Sequence, residues 1–410
     1  MKALPMKALT QIMLTPQPGN IRLPQAAGHR TLALLGSLCL FLSAIEYLIP
    51  KPLPFMRIGL ANLPLLLALD IFGLKHFSLL VLLKVLCQGI IGRSLFSYIF
   101  LFSVAGTFSS AAVMYALRQL AGKQHLGFAG LGCAGAMASN ITQLILARYF
   151  IFGSALRYLI PPFLASGFIT GITLGIICEY FCRKSQWYKG KLGIKSKYTV
   201  SPHVQITHNK LHSPFLLPHL SFLAGLIMMV IFLINRQLES RALLFLFFCL
   251  LVKLSGKKIN ILITFTVMAG IVFFNLLAPY GKVLAAFGTL RITQGSLITG
   301  LEKAFALGGL AMLSRACIQS NLRLPGTMGM LLGESLQMLE LMREKKNYIT
   351  KRNVISGIDS MMLELETTGT VNNAETPQKI QLKNIVILSI IVLIAAVLGF
   401  TPRLCNVTLF

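Results

Sequence analysis

The chain has 410 residues, 55% of them apolar and only 12% charged, which is too little polar surface to cover a water-soluble body. Its 38 Lys and Arg against 12 acidic residues give a formal charge of +26. Almost all of that charge lies between apolar runs long enough to cross a bilayer, so it reads as basic membrane loops, and no nucleic-acid partner is expected.

Residues 1–30 carry Lys2, Lys7, Arg22 and Arg30 without an apolar run, and are expected to form a basic cytoplasmic segment. The first apolar run is expected to serve as an uncleaved signal anchor. A hydrocarbon core of about 30 Å takes about 20 apolar residues. On that measure the first six spans are Thr31 to Ile49, Ile58 to Leu74, Phe77 to Ile91, Leu95 to Leu117, Leu126 to Leu146 and Leu159 to Phe181. Residues 183–214 show no apolar period and read as a basic cytoplasmic linker, with Arg183, Lys184, Lys189, Lys191, Lys195 and Lys197. Five further spans follow at Leu220 to Ile234, Ala242 to Val252, Ile259 to Ala278, Leu297 to Ile318 and Ile385 to Phe400. The run from Ala242 to Val252 is short for a crossing and reads as tilted, kinked or re-entrant.

The loop charges orient these spans. With the N-terminus inside, the linker, Lys253, Lys257 and Lys258, and the loop from Arg315 to Lys383 share the cytoplasmic side. Lys51, Arg57, Arg93, Arg157, Arg236, Arg241, Lys282 and Arg403 fall opposite. The expectation is a multi-pass plasma-membrane protein, all-α, with a six-span domain at 31–182 and a five-span domain at 215–402.

Ionisable and amide groups inside spans are costly enough to be candidates for function. In the first half these are Glu46, Asn62, Asp70, Lys84, Gln88, Asn140 and Gln143. Singly, each also fits a role in joining helices, and Asp70 and Lys84 fit a pair or snorkelling ends. As a set, Glu46, Asn62, Asn140 and Gln143 are assigned to one substrate cavity near the outer side. In the second half, 325–366 carries Met328, Leu331, Leu332, Leu336, Met338, Leu339 and Met342, then Ile355, Ile358, Met361, Met362 and Leu365, at helical spacing among charges. They read as two amphipathic helices on the cytoplasmic face, with Leu332, Leu336 and Leu339 turned to the bundle, a partner groove or lipid.

Several chemistries are missing. There is no Gly-x-x-x-x-Gly-Lys-Ser/Thr to hold ATP, no His-Glu-x-x-His, and no Gly-x-Ser-x-Gly. Asp70 and Asp359 are the only Asp, so no Asp cluster can gather Mg²⁺ and diphosphate. The eight Cys stand singly or, as Cys178 and Cys182, one helical turn apart, without the second pair a metal site needs. The chain is expected to be no enzyme and to hold no cofactor or metal.

Three stretches carry a resemblance: Glu46 to Asn62, ending Ile58-Gly59-Leu60-Ala61-Asn62 after a proline cluster; Phe100-Leu101-Phe102-Ser103-Val104-Ala105-Gly106; and Gly135-Ala136-Met137-Ala138-Ser139-Asn140-Ile141-Thr142-Gln143. Over about residues 30–182 the chain resembles the Gx transporter family, also labelled heptaprenyl diphosphate synthase component I. That family is similar to the substrate-binding S components of energy-coupling factor (ECF) transporters. Ser139 stands where the family usually has His. Residues 215–402 more faintly resemble the ECF transmembrane T component, through Pro218-His219, the Ser255-Gly256-Lys257-Lys258 turn, Leu290 to Ser296, the amphipathic helices and a last span. The resemblance implies an importer subunit that binds a small substrate, such as an isoprenoid or quinone precursor or a vitamin, with separate ATP-binding subunits docked at 325–366. The alternative it implies is a non-catalytic membrane component of a heptaprenyl diphosphate synthase system.

Overall fold

A computed structural model describes residues 25–48, 59–193, 218–235, 237–257, 259–287, 290–318, 326–344, 353–367 and 382–407. The outer prolines Pro50, Pro52 and Pro54, and the basic residues Lys195, Lys197, Lys345, Lys346, Lys351 and Arg352, lie outside them.

The protein is an all-α membrane protein with one small hairpin. Its first bundle contains α1 (Gln25–Leu48), a 3₁₀ turn (Leu60–Asn62) running into α2 (Leu63–Ala68), α3 (Leu74–Ile91), α4 (Tyr98–His125), α5 (Phe128–Ala147) and α6 (Ile160–Lys184). The expected second span is therefore a broken element of two short pieces. Gly59 at φ +88° turns the chain into the 3₁₀ turn, a conformation glycine adopts without strain, and Pro64 sits in the first turn of α2, where its missing N–H costs nothing. At its other end α5 widens into a π turn (Arg148–Phe152) and then a 3₁₀ stretch (Gly153–Tyr158).

Residues 183–193 are helical for most of their length. α6 runs through Lys184, and α7 (Gln186–Lys191) follows with Trp187 and Tyr188 buried. The second bundle holds α8 (Pro218–Ile234), α9 (Leu238–Leu254), α10 (Ile261–Leu276), the antiparallel pair β1 (Val283–Phe287) and β2 (Leu290–Thr293), α11 (Gln294–Cys317) and α14 (Leu382–Val407). The short run at Ala242 to Val252 is the apolar middle of the longer α9. Between α11 and α14 come the two expected amphipathic helices, α12 (Gly326–Glu344) and α13 (Val354–Thr367). Among the described residues six helices, namely α1, α3, α4, α5 with its π turn, α6 and α11, are long and apolar enough to cross a membrane, and α8, α10 and α14 contain shorter apolar runs.

Gly132, Gly171 and Gly175 let α5 and α6 touch backbone to backbone. A Cβ on Gly132 would stand 2.5 Å from the Gly171 carbonyl oxygen, so any side chain there would push the helices apart. The main apolar core is shared: Leu32 to Leu38 of α1 and Leu65 to Leu69 at α2 are packed together with Leu331, Leu332, Leu339 and Met342 of α12 and Met361, Met362 and Leu365 of α13. Leu332 and Leu339 thus face the bundle, with Leu336 packed at its edge. The choice between bundle, partner groove and lipid is decided by burial of these leucines against α1.

The two bundles do not stand side by side. In the first bundle, α3 and α5 both run away from the end that holds Asp70 and Phe128, so the turn at 92–97 and the turn at 148–158 close the opposite end. At the first of these turns the Phe96 N–H donates to Ser314 Oγ, 3.2 Å away. At the second, the Ile151 carbonyl accepts from Asn275 Nδ2 at 3.3 Å, and Lys303 Nζ donates to Asn275 Oδ1 at 3.1 Å. Lys303 and Ser314 are eleven residues apart on α11, or about 16 Å along its axis. One end of the first bundle therefore lies along the flank of α10 and α11. The loop-charge reading assumed upright spans and put Arg93 opposite Lys257. In the structure the two are near enough that the Arg93 guanidinium acts on the Lys257 ammonium.

Candidate substrate-binding site

Each of the assigned residues sits where its helix meets another. Glu46 is buried in the last turn of α1, only 4% exposed. Asn62 closes the 3₁₀ turn, and a Cβ on the adjoining Gly59 would meet Asn62 Nδ2 at 3.2 Å and Leu174 of α6 at 3.4 Å. That glycine allows the turn to press against α6. Asn62 Oδ1 accepts from the ammonium of Lys84, which is buried in α3. Lys84 is thus held by Asn62, whereas Asp70 pairs elsewhere, which corrects the Asp70 and Lys84 pairing drawn from sequence. The charge is inside a bundle and well away from a helix end, so it cannot snorkel to water.

Asn140 and Gln143 bind other elements. Asn140 Nδ2 donates to the Phe163 carbonyl at 2.8 Å and lies against Gly167, tying α5 to α6. Gln143 Nε2 donates to Ser139 Oγ at 3.1 Å, and a Cβ on Gly106 of α4 would come within 2.5 Å of it. Ser139 thus orients Gln143. Gln143 Oε1 and the hydroxyls of Ser103 and Ser110 are buried along the α4 and α5 contact with no partner among the described residues. A buried acceptor left open costs about 1–3 kcal/mol, so this seam is polar beyond what packing needs. The bonds of Asn62 lead to α3, those of Asn140 to α6, and those of Gln143 stay within α5.

A buried polar cluster lies at the other end of the bundle, and sequence reasoning missed it. Arg118 of α4 grips Asp70 with two parallel bonds, Nε to Oδ1 at 2.9 Å and Nη2 to Oδ2 at 2.8 Å. Its Nη1 donates to the Leu126 carbonyl at 3.0 Å, and the guanidinium lies 5.1 Å from the Phe128 ring centre. Tyr188 of α7 donates its phenol to Asp70 Oδ2 at 3.0 Å. Burial and the neighbouring Asp70 charge push that phenol well above its ordinary pKa, so it stays a donor. A lone Asp in so apolar a chain requires a cation, and Arg118 near the end of a helix reaching the same face was the available signal.

Asp359 of α13 makes a second cluster. Its Oδ1 accepts from the Ser185 hydroxyl and from the Trp187 N–H at 3.1 Å, and its Oδ2 accepts from the Gln186 N–H at 2.9 Å. The Ser185 hydroxyl itself accepts from the Tyr188 N–H at 3.0 Å. These bonds satisfy the open N–H groups at the start of α7. Lys191 at the end of α7 pairs with Glu366 and donates to Thr31 Oγ1 at 2.8 Å. Among the described residues no group of three or more His, Cys, Asp or Glu is placed to hold a metal ion.

Fold and site together define a multi-pass α-helical membrane protein with a polar-lined first bundle. The family model described as heptaprenyl diphosphate synthase component I matches residues 35–181, so the resemblance read from the three stretches holds over the first bundle. A domain of unknown function, DUF8519, matches residues 217–320. No curated protein and no solved structure matches the chain.

Proposed function

We propose that the chain is the membrane subunit of an ECF-type importer, in which the first bundle binds a small substrate and the second couples it to separate ATPases. The observation that carries this reading is that one end of the first bundle lies along the flank of α10 and α11. A binding unit held by one end against a membrane scaffold is one of two orientations between which ATP hydrolysis by partners would shift the population. In this reading the chain itself does no chemistry. Glu46, Asn62, Asn140 and Gln143 line the substrate path, with Lys84 added because it holds Asn62. The N-terminus and α12 to α13 are cytoplasmic, in the plasma membrane. The family's description favours the second reading, a non-catalytic membrane component of a heptaprenyl diphosphate synthase system.

With Leu332 and Leu339 buried, the open side of α12, where Met330, Glu340 and Arg343 are exposed, is the surface this reading gives to an ATPase. Purification of the full chain in mild detergent, followed by identification of co-purifying proteins, decides between the readings. ATP-binding subunits, lost with Met330→Glu and Arg343→Glu, support import. A soluble prenyl transferase supports the synthase component, and neither partner sinks both.

A further inference from the structure

The amphipathic helices follow α11 in the chain, yet their packing partners are in the first bundle. α12 lies on α1 and α3, and α13 on α1, α6 and α7. Among the described residues neither makes an extensive contact with α8, α9, α10, α11 or α14. The bonds at this interface come from both sides. Ser335 Oγ donates to the Ala33 carbonyl at 3.1 Å, Arg30 Nη2 to the Leu365 carbonyl at 3.1 Å, Asp359 caps α7, and Lys191 pairs with Glu366. The apolar part is continuous with the core of the first bundle and includes Leu331, Met342 and Met362, none of which is exposed.

The flank of α10 and α11 is a different kind of contact. It consists of two smaller apolar clusters, one around Phe96, Ala224 and Cys317 and one around Phe102, Ile151, Ile271 and Ala304. The buried residues of these clusters are separate from those of the main core, and half-buried Leu95 packs against both the main core and the Phe96 cluster. The hydrogen bonds seen across it among the described residues include Phe96 to Ser314 and Asn275 to Ile151, both between neutral groups. Removing one partner from a buried charged pair costs several kcal/mol, whereas a neutral hydrogen bond contributes about 1 kcal/mol. The contact that breaks first is the flank.

We infer that α12 and α13 are structural parts of the substrate-binding body, so that residues 25–193 and 326–367 move as one unit and the chain parts along the α10 and α11 flank. The inference about motion rests on the importer reading. The inference about which helices form one body does not, since it needs no ATPase. It also changes what a partner would grip: a protein docked on α12 or α13 would hold the binding unit itself, not the scaffold.

Spin labels on the full chain in lipid nanodiscs test this, placed by a noncanonical amino acid so that the native cysteines stay. Exposed Ser78 of α3, Ser360 of α13 and Ser255 at the end of α9 give three distances. The perturbation is Gly225→Leu, since a Cβ at Gly225 already stands 2.6 Å from the Phe96 ring and 2.7 Å from Cys317 Cβ, so a larger side chain wedges the flank open. The expected result is that the distances from Ser255 to Ser78 and to Ser360 shift together while the distance from Ser78 to Ser360 is unchanged. If Ser360 keeps its distance from Ser255 and moves relative to Ser78, α12 and α13 belong to the scaffold and the inference is overturned. No shift in any pair overturns the parting along the flank. Asp359→Asn, in which one capping oxygen becomes a donor, should broaden only distances to Ser360; an unchanged distribution removes Asp359 from the interlock. Failure to recover an ATPase would reject the importer reading and leave all these distances valid.

Discussion

The Phe96 N–H donates to Ser314 Oγ at 3.2 Å, joining the turn after α3 to the last turns of α11. Counted as upright spans, these residues lie on opposite faces of the bilayer, about 30 Å apart. Their contact is the most direct sign that one end of the first bundle meets α11. Cys introduced in place of Phe96 and Ser314, in native membranes, should cross-link on mild oxidation. An absence of cross-linked product at any oxidant level would restore the upright arrangement.

The Asp70 and Arg118 pair should be the most sensitive polar contact in the first bundle. Both side chains are less than one-tenth exposed. Arg118→Met removes the cation that grips this buried carboxylate, and a broken buried pair costs about 3–5 kcal/mol. We expect a lower melting temperature in detergent and poor yield, with part of the loss restored by Asp70→Asn in the same chain. If the double variant is no more stable than Arg118→Met, charge burial is not the cause.

Leu332→Ala should destabilise the attachment of α12 by about 2–5 kcal/mol, because Leu332 is only 2% exposed in the shared core. Met330→Ala, at 60% exposure, should cost nothing measurable. Proteolysis of the 326–367 region in the full chain reads the difference. Equal protection in the two variants would place Leu332 outside the core.

Lys257 gives a pH signature. Its ammonium donates to the carbonyls of Arg315, Ala316 and Ile318 at 2.6, 2.9 and 3.2 Å, closing the end of α11. Burial, then the nearby Arg93, push it down from 10.5 to about 8. Between those values the unfolded chain holds more protons than the folded one, so stability rises with pH across that window. Below about 8 both states are protonated and the dependence vanishes. Melting curves from pH 7 to 10 should show the rise in the native chain and lose it in Lys257→Met. A rise of the same size in that variant would assign it to other groups.

The sequence by itself determined that this is an all-α membrane chain with apolar runs long enough to cross a bilayer, and that two amphipathic helices lie within 325–366. These are local properties: run length, the 3.6-residue period and a scarcity of charge are all written within one turn or one span. It also marked Asn62, Asn140 and Gln143 as polar groups in apolar surroundings. It did not say what each would meet, because the partner of a buried group comes from another helix. Asp70 took Arg118, 48 residues away, and Lys84 took Asn62. Only the tertiary structure decided that Leu332 and Leu339 cover α1, that Asp359 caps a helix 172 to 174 residues earlier, and that one end of the first bundle meets α10 and α11. An apolar stripe fixes that a helix must be covered but not by what, and loop charges fix a side of the membrane only for spans that stand upright in it.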